Sequence, residues 1–174
     1  TSGLLMVAKN DASHHSLVDQ LVKKSVTRKY VALVHGHIPH DKGTIDAPIA
    51  RDAKDRQKMA VIDKGKNAVT HFRVLERFGN FTLVECRLET GRTHQIRVHA
   101  AHIGHAVVGD EKYGDRAVNR DFRRLGLKRM FLHAQSLSFE RPGGGETLCI
   151  SAPLQSQLRE FLDRLEDGEP GGLR

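Results

Sequence analysis

The segment Arg92-Thr93-His94-Gln95-Ile96-Arg97-Val98-His99 follows a tight Glu89-Thr90-Gly91 turn and runs on at helical spacing to a stop at Gly104. Arg92 falls at the turn, while Gln95 and Arg97 fall on the first turns of a helix, whose exposed amides favour anions. The ligand of such a station is a phosphate or a carboxylate. Basic residues at a helix start also occur on ordinary solvated faces. Against that simpler reading, the alternation Gln95-Ile96-Arg97-Val98 predicts a semi-buried Arg97 that needs an acidic partner. Further upstream, Arg28-Lys29-Tyr30 sets two cations before a tyrosine at the start of an apolar run. Tyr30 is either a platform for one base, with Arg28 and Lys29 on flanking phosphates, or a tyrosine of the core or its rim. With 5% aromatics and no tryptophan, a general stacking surface is not expected.

His94, His99, His102 and His105 raise the question of a metal site, because three of them recur at three-residue steps. No Asp or Glu is interleaved as a ligand or general base, and a repeated three-residue step drifts around a helix. Surface or RNA-facing histidines without metal are the expectation. His102-Ile103-Gly104-His105 also spells a nucleotide-binding signature of class I aminoacyl-tRNA synthetases, but here it closes a helix rather than following an early parallel strand. It carries no such role.

These residues sit in a 174-residue chain with 28 Lys and Arg against 21 Asp and Glu, a net charge of +7. A chain of this size builds one core rather than two domains. The charge favours a polyanion and matches phosphate contacts near Arg28, Arg51 and Arg120, although solubility alone is also served by it. Cys86 and Cys149 lie in apolar runs and read as reduced packing residues, which points to the cytoplasm. No apolar run approaches the length of a membrane span. The chain opens on Thr1-Ser2-Gly3 leading directly into Leu4-Leu5-Met6-Val7-Ala8, a turn entering a buried strand, so a truncated start is expected.

The elements that must position the site follow from periodicity. A helix capped by Asp11 is expected to Ser25, then a strand over 30–34 and a turn at Asp41-Lys42-Gly43. Strands are expected over 59–62, 68–78 and 81–88, with Gly79-Asn80 as a two-residue hairpin turn. Thr93 is expected to cap a helix reaching Ile103. A charged, exposed insert is read over 115–129, strands over 130–139 and 147–151, and a closing amphipathic helix through Leu154, Leu158, Phe161, Leu162 and Leu165. Strand runs with few helices predict an α+β domain over 1–167 with a mixed, mainly antiparallel sheet, followed by a flexible tail over 168–174.

Thr1 through Lys9, Arg28 through Gly36, Glu89 through His99, Gly109 through Asp115 and Phe131-Leu132-His133-Ala134 together resemble the RluA-type pseudouridine synthases in order and spacing. The insert carrying Arg120-Asp121-Phe122 and Leu125-Gly126-Leu127 is most similar to the RluC-like branch that modifies large-subunit ribosomal RNA. The resemblance implies the pseudouridine synthase catalytic fold with a central RNA-binding cleft, isomerisation of uridine in RNA without a cofactor, and a monomer. It also implies an essential aspartate in a His-Arg-Leu-Asp-like sequence just upstream of Thr1. By the same motifs, Tyr30 would stack on the target base and Arg97 would pair with that aspartate. Leu132 would wall the uracil pocket, while Lys29, Arg92, His94 and Gln95 would meet the nucleotide or its phosphates. A noncatalytic RNA-binding module of the same fold is the alternative.

Overall fold

A computed structural model describes residues 1–168. Its central strand is β2 (Thr27–His35), in which Val31, Ala32, Leu33 and Val34 are all buried. Such a run, with no polar alternation, requires cover on both sheet faces. The strand pairs antiparallel with β7 (Phe81–Leu88) on one side and β8 (Leu132–Glu140) on the other. Beyond β7 lie β6 (Val69–Phe78) and the edge strand β3 (Lys42–Asp46). Successive stretches of β8 pair with β1 (Ser2–Gly3), in parallel, and with β9 (Thr147–Ser151). The sheet is mixed and mainly antiparallel, as the pattern predicts.

Each face is covered differently. On one, α2 (Gln95–His102) sets Ile96 and Ala100 against Ala32, Val34, Val84, Cys86 and Leu88. On the other, α3 (Arg116–Arg124) and α4 (Ser156–Glu166) pack Phe122, Leu158, Phe161 and Leu162 against Val31, Leu33, Phe81 and Leu83. The Phe122 ring meets Phe81 edge-on at 4.6 Å and Phe161 at 5.3 Å, within the range of favourable aromatic pairs. A small two-stranded sheet, β4 (Ile49–Arg51) with β5 (Met59–Val61), joins α2 through Ile49, Ala68 and Val98.

Four expectations need correction. The segment over 115–129 is not an exposed insert: Phe122 and Leu127 are core residues, and only one face of α3 carries its arginines outward. Its charge hides an amphipathic helix because the apolar positions are few and large. Leu4 to Ala8 is not a buried strand; β9 takes over the β8 edge from Ser136, and Leu5 and Val7 stand exposed. The turn foreseen at Asp41 to Gly43 begins β3 instead. Cys149 is exposed, while Cys86 is buried with its thiol pushed up to about 12 by that burial.

Smaller shifts concern the ends. The first helix, α1 (Asp11–Val22), is capped by Asn10, whose side chain accepts the Ser13 amide, and its end turns through Lys24 in the left-handed region. The Gly79-Asn80 hairpin forms as expected, with Gly79 at φ +59° closing Phe78 onto Phe81. The tail read over 168–174 lies, from residue 169 onward, outside the described residues.

Candidate active site

Arg97 leaves the third position of α2 and meets Asp110 in a two-pronged contact, Nε to Oδ2 at 2.7 Å and Nη2 to Oδ1 at 2.9 Å. The Asp110 side chain is fully buried, whereas that of Arg97 keeps 18% of its surface. Burial alone would raise the Asp110 carboxyl, yet the Arg97 hydrogen bond and the Tyr113 and Lys112 amides outweigh it and hold the group below the usual range. Arg97 is correspondingly held above its ordinary value, chiefly by its hydrogen bond to Asp110. The acidic partner foreseen for Arg97 therefore lies within the chain, and Arg97 is not the uncompensated cation the sequence suggests. Its Nη1 has no hydrogen-bond partner among the described residues.

The loop that presents Asp110 is fixed by packing and by α3. Gly109 sits at φ +80°, where a Cβ would lie 2.3 Å from the Arg129 carbonyl oxygen. Asn119 accepts the Gly109 amide at 2.8 Å and donates to the Asp110 carbonyl at 2.8 Å. Tyr113 completes the group: its ring lies 5.0 Å from the Arg97 guanidinium, its hydroxyl accepts the Met59 amide, and the same hydroxyl shares a hydrogen bond with His94 Nδ1, both at 2.8 Å. His94 adopts φ +57° as the residue preceding α2, and burial, then Arg97 and Lys112, lowers its basicity. Nε2 of His94 is left without a partner among the described residues.

Tyr30 lies on the sheet face that α2 covers, packed against the cluster that holds Ile96 and Leu132. Cross-strand neighbours share a face, and the row Tyr30, Cys86, Phe72, Gly43 runs along this one. Leu132 itself is buried in that cluster. The amino group of Thr1 approaches the same place: burial, then Arg129 and Arg97, lowers its basicity, and Asp110 opposes them. The start of β1 thus brings the chain beside the Arg97 and Asp110 pair.

Two of the expected nucleotide contacts fall elsewhere. Gln95 is buried with every polar atom engaged: Oε1 accepts from Thr90 and the Arg92 amide, and Nε2 donates to the Val69 carbonyl and Thr70. It fastens the turn to β6 and has nothing left for RNA. Lys29 pairs across to Arg87, on the face opposite Tyr30, because successive strand residues alternate. Arg92 remains available, anchored by Nε to the Asn67 carbonyl at 2.8 Å. It lines a groove of about 600 Å³ with Arg51, Lys64 and Lys66, and another of about 310 Å³ with Lys24 and Arg28. Arg28 is notable there, since its Nε is buried without a partner and burial lowers its basicity.

Asp110, Tyr113 and Asn119 were not foreseen as site residues. The signal for Asp110 is a carboxylate directly after the apolar run Val107-Val108-Gly109, a place where a carboxylate needs a buried cation. The histidines do not converge: His99 is a core residue, accepting from Thr70 at Nδ1 and donating from Nε2 to the Ala47 carbonyl, both at 2.8 Å. Burial lowers the His99 pKa from 6.5, so the folded state favours the neutral ring. Stability is then full above pH 6.5 and declines as pH falls below it, because the unfolded chain takes up the proton first. Urea unfolding between pH 7.5 and 5.5 should show this decline, with a shallower slope in His99→Gln; equal slopes would contradict a neutral buried His99.

Residues 1–102 match the RNA pseudouridylate synthase family. The chain is 59% identical over 165 residues to the uncharacterized RNA pseudouridine synthase YlyB of Bacillus subtilis, covering 95% of the chain and 52% of that protein. It is 44% identical over 169 residues to the ribosomal large subunit pseudouridine synthase D of Zymomonas mobilis, covering 95% and 53%. Among solved structures, human RNA Pseudouridylate Synthase Domain Containing 1 superposes with a TM-score of 0.72 at 30% identity, covering 93% of the chain and 73% of that structure. The chain spans about half the length of the curated relatives it matches.

Proposed function

The chain belongs to the RNA pseudouridylate synthase family, and from that premise we propose that residues 1–167 supply the base-binding and arginine-bearing part of a site that isomerises uridine to pseudouridine in RNA. Large-subunit ribosomal RNA is the proposed substrate, on the strength of relatives named for it, and the proposed setting is a cytoplasmic monomer. No described helix is long and apolar enough to cross a membrane. The observation that carries the reading is the buried Arg97 and Asp110 pair, with the Thr1 amino group within electrostatic reach of it and of Arg129. An aspartate a few residues upstream of Thr1 would enter beside two cations.

The reaction breaks the N1–C1′ bond, turns the uracil and forms a C5–C1′ bond, so the nucleotide must leave its stack. Tyr30 would hold the flipped base, with Leu132 and Ile96 behind it as an apolar wall. Arg97 is already neutralised by Asp110, so its share for a second carboxylate is the unpartnered Nη1. That donor, with Arg129 near Thr1, favours the charged form of an incoming aspartate, as its action at the sugar requires. Asp110 cannot substitute for it, being fully buried and engaged by Arg97 and two amides. His94 Nε2, Arg92 and Arg28 are the donors proposed for the nucleotide and its phosphates.

Tyr30 gives the direct test. Base stacking contributes about 1–3 kcal/mol, so in a protein carrying the upstream aspartate Tyr30→Ala should lower kcat/KM on an RNA substrate by roughly 5- to 150-fold, while Tyr30→Phe should keep the binding. Turnover by single-turnover kinetics that is unchanged in Tyr30→Ala would return Tyr30 to a purely structural place.

A further inference from the structure

The face of the sheet opposite Tyr30 is covered by α3 and α4 only at one end, around Val31, Leu33, Phe81 and Leu83. At the other end two cross-strand rows stand open. One runs Lys42, Arg73, Glu85; the next runs Thr44, His71, Arg87, Lys29. Together they line a shallow concavity of about 620 Å³. Four fixed cations share it with a single carboxylate, Glu85, which lies 3.4 Å from Arg73 and 3.9 Å from Lys29. Neither Lys42 nor Arg87 has a carboxylate partner among the described residues, and both are exposed.

We infer that this open end of the sheet is a second RNA-binding surface, which takes the phosphate backbone of RNA outside the nucleotide bound at Tyr30. The reading rests on the chain acting on RNA. Charge complementarity chooses the occupant: unpaired cations a strand spacing apart suit a row of phosphates. The side chains choose backbone over base. Tyr30 and Phe72 belong to the rows on the opposite face, Phe81 is buried under α3 and α4, and both ring nitrogens of His71 are engaged, by Thr44 and Glu89, so these rows offer mainly cations and a hydroxyl. An anionic membrane fits less well, since the rows offer no apolar side chain to insert. Lys29, which the sequence sets beside Tyr30, finds its phosphate here instead. RNA held on both faces must pass around the sheet, so the substrate engaged is larger than the target loop.

The test uses the 174-residue chain with two probes, a 20-base-pair RNA duplex of arbitrary sequence and a uridine hexamer. Lys42→Glu with Arg87→Glu removes the two unpaired cations without breaking an ion pair. Duplex affinity should fall at least tenfold, and the dependence of log K on log salt should become shallower by about 0.7–0.9 per lost phosphate contact, while hexamer binding stays within twofold. Lys42→Gln with Arg87→Gln should give the same order of effect, more weakly. Unchanged duplex affinity and salt dependence in a variant with wild-type circular dichroism would overturn the inference. So would loss of binding to phosphatidylserine vesicles in place of duplex RNA. Tyr30→Ala, run beside them, should weaken the hexamer only; its failure to do so bears on the proposed site and leaves the duplex result standing.

Discussion

Replacing Arg97 by Met is expected to destabilise the fold by about 3–5 kcal/mol, the range seen when one partner of a buried ion pair is removed. Asp110 would keep the Lys112 and Tyr113 amides but lose its cation, and its side chain has no exposed surface through which water could compensate. The sign with pH follows. In the native protein the depressed Asp110 carboxyl contributes stability above its ordinary 3.8, lost as pH falls toward the folded value. Without Arg97 burial raises the carboxyl instead, and the sign reverses: the deficit of the variant should be largest near neutral pH and shrink as pH falls and Asp110 takes up a proton. In a protein carrying the upstream aspartate, turnover should fall by on the order of 10²–10³, the usual cost of a preorganised charge aimed at the reacting group. Arg97→Met combined with Asp110→Leu separates the two roles: an apolar pair can restore the stability, whereas turnover should stay lost. Denaturation curves with single-turnover rates check both, and full activity in the Arg97→Met protein would end the proposed role of Arg97.

The sequence exposed this arrangement unevenly, for physical reasons. Residues whose role depends on local pattern were legible: the β6–β7 hairpin from Gly79-Asn80, the buried β2 from its apolar run, and a semi-buried Arg97 from the alternation around it. What joins distant segments was not. The Asp110 partnership spans thirteen residues and a glycine at positive φ, and nothing in local periodicity says which cation that carboxylate will meet. Gln95 looked available for RNA because an amide at a helix start usually is; four hydrogen bonds from β6 and the preceding turn absorb it. Lys29 looked like a companion of Tyr30 because they are adjacent, yet adjacency in a strand means opposite faces. The segment over 115–129 misled through composition: a 9-residue helix dense in arginine still buries Phe122 completely and lends Asn119 to the Asp110 loop.

In the proposed site this chain holds the base and the arginine, while the reacting carboxylate comes from just upstream of Thr1. The most direct measurement compares residues 1–174 with the same chain preceded by a segment that carries the His-Arg-Leu-Asp-like sequence, each incubated with large-subunit ribosomal RNA without added metal or nucleotide. Pseudouridine is read by mass spectrometry of the digested RNA. RNA binding is expected from both and pseudouridine only from the extended protein, lost again when that aspartate is replaced by Asn. Pseudouridine made by residues 1–174 alone would contradict it, and an extended protein that binds RNA but makes none would leave an RNA-binding module in place of an enzyme.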